Sequence, residues 1–192
     1  REGVEDLHPR VDALEVVDPW VKWHKVASIE ASWQPFTLAV VNKKKPMLIS
    51  NGMSERTWPY PFSGVITLHC VTAYPAKLAD MNLRAVPEGS HWGVSDHTTH
   101  PTIVPCAAVA MGAKVVEKHM RLDETNYNDP TGPLLTLETP DSAHSINQYD
   151  FRVMVDAIRL TEQALGSPEK RIRESERPYL KYRRGPRGLR GA

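Results

Sequence analysis

The chain is poor in the features that would narrow its class at once. It has two cysteines in 192 residues, too few for the disulfide framework of a small secreted domain. Cys70 and Cys106 lie in apolar contexts, Thr67-Leu68-His69-Cys70 and Val104-Pro105-Cys106-Ala107, so buried free thiols and a reducing, cytoplasmic setting are expected. No apolar run approaches the roughly 20 residues that span a bilayer, and no membrane partner is expected. No signal peptide is visible in these residues, and no internal repeat is evident. Lys and Arg number 24 against 23 Asp and Glu, a formal net charge of +1, so the overall charge points to no particular partner. The chain opens on Arg1 rather than Met, and a preceding segment is expected.

What is present suits one globular domain: 41% of residues are hydrophobic, enough for a core of its own. Five short apolar runs, at 25–28, 45–50, 64–69, 91–95 and 113–119, each end in polar residues. Because they do not alternate, they read as strands buried on both faces of a parallel sheet. Residues 102–111 are small and apolar and are followed by Gly112, the signature of a crossover helix packed closely on a sheet. Phe151, Met154, Val155, Ile158 and Leu165 fall at helical spacing before Gly166. Strands alternating with helices make an α/β fold. From Arg171 onward Lys and Arg dominate, with Gly185, Pro186, Gly188 and Gly191 among them. This bounds a folded domain at 1–168 and a basic tail at 169–192, disordered or docked on a partner. Without an aromatic-rich binding sheet, a nucleic-acid partner is not expected.

Parallel α/β folds bind ligands at the carboxyl ends of their strands. The polar residues closing the runs are therefore the candidates: Lys25, Ser28 and Glu30; Ser50 and Asn51; His69, Thr72 and Tyr74; Ser95, Asp96 and His97; Glu117 and His119. One polar strand end means little, but five in succession exceed what packing demands. A lone strand-end histidine is more often structural. His97 and His119 close two successive strands, which favours a shared divalent metal, since neutral imidazole suits Mn²⁺, Zn²⁺ or Fe²⁺. Asp96 or Glu117 is expected to accept from the outer ring nitrogen of a histidine and fix its tautomer. The plainer role for Asp96 is a turn cap.

At these residues the chain resembles a known family. Leu68-His69-Cys70-Val71-Thr72-Ala73-Tyr74-Pro75, Asn82-Leu83-Arg84-Ala85, Ser95-Asp96-His97-Thr98 and Gly112-Ala113-Lys114-Val115-Val116-Glu117-Lys118-His119 resemble the N-acetylneuraminate (sialic acid) synthase family. Lys25-Val26-Ala27-Ser28-Ile29-Glu30 and Pro46-Met47-Leu48-Ile49-Ser50-Asn51-Gly52-Met53 look like its preceding strand motifs, and Pro140-Asp141 with Ser145 and Phe151 like a later substrate loop. The resemblance implies a (β/α)8 TIM barrel that is incomplete in this chain, roughly strands 4 to 8 and the C-terminal helix. It implies condensation of phosphoenolpyruvate with N-acetylmannosamine or a related amino sugar to a nine-carbon 2-keto sugar acid. It assigns His97 and His119 to a metal, Mn²⁺ or Mg²⁺, that polarises the sugar aldehyde. Lys25, Ser28, Thr72 and Ser95 would contact the phosphate or carboxylate of phosphoenolpyruvate. Tyr74 and Asp141 would orient the sugar, and Glu30 and Glu117 would act as catalytic carboxylates that hold hydroxyls or move protons.

The departures from the family pattern are also specific. The family's first two strands, with a catalytic Glu and a phosphate-contacting Lys, and its antifreeze-like C-terminal domain have no counterpart here. The connections at 54–63 and 79–89 are short, and 124–139 looks inserted. Asn51 stands for a usual Thr, Ile29 for a Gly, Arg121 for a Thr and Ser142 for a His. An open barrel has two edges, so a homo-oligomer or a complementing chain is expected to cover them, near Trp20, Trp23, Trp33, Trp58 and Trp92. The alternative function is a non-catalytic structural or assembly protein derived from the synthase barrel. A different metal-dependent lyase or aldolase on the same fold is a third.

Overall fold

In a computed structural model the described residues are 11–55, 63–124, 135–136 and 139–185. Most of the segment read as inserted, and most of the 54–63 connection, lie outside them. The elements run α1 (Val11–Val17), β1 (His24–Val26), α2 (Ser28–Ala31), α3 (Gln34–Asn42), β2 (Met47–Ser50), β3 (Val65–Cys70), β4 (Trp92–Asp96), α4 (Ile103–Ala110), β5 (Val115–Lys118), β6 (Asp123–Glu124), β7 (Leu135–Thr136) and α5 (Gln148–Leu165). Strands β1 to β5 form one parallel sheet in chain order, while β6 and β7 make a small antiparallel pair. Every apolar run expected to be a strand is one.

The sheet is strongly curled. Five flat strands would set β1 and β5 about 19 Å apart, at about 4.8 Å per step. Yet Lys25 Nζ on β1 lies 3.2 Å from Glu117 Oε1 on β5. Two side chains cannot close that gap unless the strands wrap around a common axis. Sequential parallel order with this curvature is the winding of a barrel wall, and the α/β, incomplete-barrel expectation holds.

The convex side carries the core. Trp92, Val94, Val104, Ala108, Met81 and Val86 form one buried cluster between β4, α4 and the turns after β3. Leu14, Val26, Ala31, Val40, Met47 and Ile49 form a second beneath α1 and α3. Small residues let α4 sit close to the sheet, and Gly112 ends it at φ 97°, a backbone angle that only glycine adopts freely. Helix α5 packs on α4 and begins with Asn147 Oδ1 accepting from Asp150 N–H at 2.8 Å, a side-chain N-cap. The segment at 79–89 is abbreviated as expected: it holds two 3-10 turns, Leu78–Asp80 and Leu83–Ala85, in place of a helix.

Three expectations need correction. The carboxyl end of β5 is not an open edge. Ile146 bridges Met120 in parallel, donating its N–H to His119 O at 3.0 Å and accepting from Arg121 N–H at 2.9 Å. The tail is not wholly irregular: Glu174–Tyr182 forms a 3-10 helix, although residues 168–184 are all exposed. Cys70 is buried but Cys106 is only half-buried; both are free thiols. At the other edge Trp20 is 86% and Trp23 51% exposed before β1, but Trp33 is half-buried, Trp92 lies in the core rather than at an edge, and Trp58 is outside the described residues.

Candidate metal centre

Register and the two-residue period of a strand place the site. On β4 and β5, Ser95 pairs with Glu117 and Asp96 with Lys118. Alternation sends Ser95, His97, Glu117 and His119 to the concave side and Asp96 and Lys118 to the other. The concave residues line a cavity of about 390 Å³ together with Lys25, Ser28, Ser50, Cys70 and Tyr74. On the far face Lys118 Nζ lies 2.7 Å from Asp96 Oδ2, both side chains wholly buried. Asp96 Oδ1 accepts from Thr98 N–H at 2.8 Å. Asp96 thus serves as a turn acceptor and ion-pair partner, and does not orient a histidine.

The histidines are fixed by other means. His97 is 4% exposed and its Nδ1 lies 2.8 Å from Val71 O. A carbonyl can only accept, so Nδ1 carries a proton, and Nε2 is the nitrogen that faces the cavity, 3.3 Å from Ser95 Oγ. Ser95 Oγ donates to Glu117 Oε1 at 2.6 Å, and the same oxygen of Glu117 meets Lys25. Glu117 is therefore held by a hydroxyl and an ammonium rather than by a histidine. Burial first, then the neighbouring His97, lowers the His119 pKa against the opposing pull of Asp141 and Glu117. Burial, then His119, lowers that of His144. Both rings are thereby kept neutral, the form that binds metals. Burial raises the pKa of the Tyr74 phenol, with Cys70, Asp141 and Glu117 adding to the effect, so it remains a hydrogen-bond donor.

His144 was not among the residues expected from sequence. The strand-end rule found His97 and His119, but His144 lies on a loop. It ends a 3-10 turn, Ser142–His144, that follows Asp141, and residues three apart in such a turn lie on one side. The Asp-x-x-His spacing was the available signal. Ligand atoms of His119, Asp141 and His144 all lie within 4.8 Å of one another. Asp141, expected to orient a sugar, faces His119 Nδ1 at 3.7 Å and His144 Nε2 at 3.6 Å. Tyr74 packs on His97, its ring centroid 4.4 Å away.

The β1–β3 end of the cavity is lined with hydroxyls. Ser28 Oγ accepts from Gly52 N–H at 3.0 Å. Ser50 Oγ and Thr72 Oγ1 are buried with no hydrogen-bond partner among the described residues. A Cβ on Gly52 would collide with Thr72 Oγ1 and lie 2.8 Å from Ser28 Oγ, so the bare backbone at Gly52 keeps this cradle open. Lys25 and donor hydroxyls around a space are the chemistry of an anion site. Two candidates stand apart. Glu30, expected to be catalytic, turns back to accept from Ala27 N–H at 3.1 Å and does not line the cavity. His69 Nε2 donates to Met81 O at 2.6 Å, a structural role.

The chain is similar in sequence and in fold to known proteins. Residues 8–170 match the model of the NeuB family. A pseudaminic acid synthase of Campylobacter jejuni is 32% identical over 81% of this chain and 46% of its own length. The human N-acetylneuraminate-9-phosphate synthase is 31% identical over 79% of this chain and 43% of its own. The chain thus spans about half the length of the relatives it matches. In fold, it resembles a sialic acid synthetase from Leptospira borgpetersenii with a TM-score of 0.69 and 22% identity, over 93% of this chain and 62% of that one.

Proposed function

The chain belongs to the NeuB family, and on that premise we propose that it carries the metal-binding and phosphoenolpyruvate-binding part of a sugar-acid synthase. The reaction is condensation of phosphoenolpyruvate with N-acetylmannosamine or a related amino sugar to a nine-carbon 2-keto sugar acid and phosphate. The observation that carries the reading is the convergence on one concave face of two histidines, ring centroids 5.3 Å apart, with the Ser95–Glu117–Lys25 chain and a cradle of hydroxyls, of which Ser50 and Thr72 have no hydrogen-bond partner among the described residues.

The donor set fits a divalent cation such as Mn²⁺: His97 turns Nδ1 to Val71 O and Nε2 toward Ser95 and the cavity, beside the ligand atoms of His119, Asp141 and His144. When bound between His97 and His119, the ion would act as a Lewis acid toward the sugar carbonyl. Lys25, Ser28, Ser50 and Thr72 bind the phosphate and carboxylate of phosphoenolpyruvate; Ser50 joins the expected set because its hydroxyl is buried without a partner. Glu117, shared between Ser95 and Lys25, holds or moves a proton at its Oε1. Tyr74, kept protonated, donates to the sugar over the face of His97. Glu30 receives no catalytic role, since its carboxylate is used as a cap. No described helix is long and apolar enough to cross a membrane, and we place the reaction in the cytoplasm.

A non-catalytic assembly role is the second reading. The exposed Trp20 and Trp23 beside the side of β1 that pairs with no strand among the described residues favour it, as a surface for a second copy or a complementing chain. Phosphate release from phosphoenolpyruvate separates the two. The synthase reading expects release that needs both N-acetylmannosamine and Mn²⁺, by the chain alone or with the remaining barrel segment supplied. No release with either preparation, over a panel of related amino sugars, would overturn it.

A further inference from the structure

We propose that His144, with Asp141, completes the coordination of the ion held by His97 and His119, making a three-histidine, one-carboxylate centre. The inference rests on the metal-site reading above and deepens it. An imidazole nitrogen sits about 2 Å from a divalent ion, so two rings on one ion have centroids roughly 4.5 to 6.5 Å apart. All three histidine pairs meet this: His119–His144 at 4.5 Å, His97–His119 at 5.3 Å and His97–His144 at 6.3 Å. Packed rings also take this spacing, as Tyr74 does with His97, His119 and His144, so the tighter observation is that ligand atoms of His119, Asp141 and His144 lie within 4.8 Å of one another, with His97 beside them.

The second observation is an orphaned donor. His144 is 4% exposed, and its Nε2 has no hydrogen-bond partner among the described residues. Asp141, at 3.6 Å, is beyond hydrogen-bond reach. A buried polar nitrogen left unpaired in a native structure calls for an explanation, and an ion shared with His119 and Asp141 supplies it.

The loop is also built to hold this position. Arg121 Nη1 donates to Ser142 O at 3.3 Å and to Ser145 O, the carbonyls flanking the His144 turn. The Ile146–Met120 bridge fastens the next residues to the end of β5. His144 is thus tied directly to the strand that carries His119.

Two consequences follow. An ion with six positions keeps two for substrate and water, against four if only His97 and His119 bind. Three imidazoles also favour Co²⁺, Fe²⁺, Mn²⁺ or Zn²⁺ over Mg²⁺, which prefers oxygen.

The test is Co²⁺ binding by the whole chain, followed by visible absorption, in wild type and His144→Gln. The expected result is one bound ion, not displaced by about 100-fold excess Mg²⁺, and affinity lower by about 10-fold or more in the variant. Imidazole ¹⁵N signals of the unsubstituted chain loaded with Zn²⁺ give a second readout that no folding defect can imitate: His97, His119 and His144 should each shift on loading. No ion bound, equal affinity in His144→Gln, or a His144 signal unmoved while His119 shifts would overturn the proposal. Binding through His144 without any condensation would overturn the synthase reading alone. Condensation with His144 unshifted would overturn this one alone.

Discussion

Replacing Asp96 by alanine is expected to destabilise the chain by about 3–5 kcal/mol, the loss seen when one member of a buried ion pair is removed. Lys118 would then hold an uncompensated charge in a side-chain environment with no solvent contact. Its remaining partners, the carbonyls of Thr98 and His100, are dipoles rather than a counter-charge. Urea denaturation measures the effect as a fall in midpoint. A loss under about 1 kcal/mol, the range of an exposed pair, would contradict it. Replacing both residues at once, with Asp96→Leu and Lys118→Met, should recover most of the loss, because the desolvation cost of both charges disappears together. The pair matters for the site as well as for the fold. Asp96 and Lys118 are register partners, and His97 and His119 are the next residue on each strand. The ion pair therefore fixes, from the convex side, the spacing of the two histidines on the concave side.

His119→Ala is expected to lower Mn²⁺ affinity by about 100-fold or more, since loss of a ligand should exceed the 10–100-fold typical of its outer partners. Titration calorimetry reads this directly, and any turnover should fall with it. The side chain is 32% exposed and away from the main buried clusters, so the variant should keep its stability. His97→Ala is a less clean probe. It would remove the imidazole donor to the Val71 carbonyl, which keeps Ala73 N–H, and add a folding cost of about 0.5–1.5 kcal/mol. Mn²⁺ affinity unchanged in His119→Ala would remove His119 from the site.

The sequence carried the sheet well because buried parallel strands leave an unambiguous trace: short apolar runs closed by polar residues. The same rule singles out Lys25, Ser95, His97, Glu117 and His119 as candidates, and the curvature gathers them around one cavity. It failed where geometry depends on something other than the strand period. His144 arrives on a loop, carried in by a 3-10 turn and the Ile146–Met120 bridge, neither of which has a hydrophobic pattern. Asp96 or Glu117 is the acceptor the sequence offers a histidine, but alternation turns Asp96 to the face opposite His97, where it takes its plainer role as a turn cap. Glu30 shows the reverse error, a carboxylate near the site whose reach is spent on Ala27 N–H. Helix α3, absent from the expected elements, carries Pro35 in its first turn, a position that proline tolerates.

The central claim is that one divalent ion sits between His97 and His119 at the carboxyl ends of β4 and β5. Crystals of the chain grown with Mn²⁺ and measured for anomalous scattering test it most directly. The account predicts a single strong peak within coordination distance of His97 Nε2 and of a ring nitrogen of His119. A map with no peak there, or with Mn²⁺ bound elsewhere while these imidazoles stay empty, would contradict it.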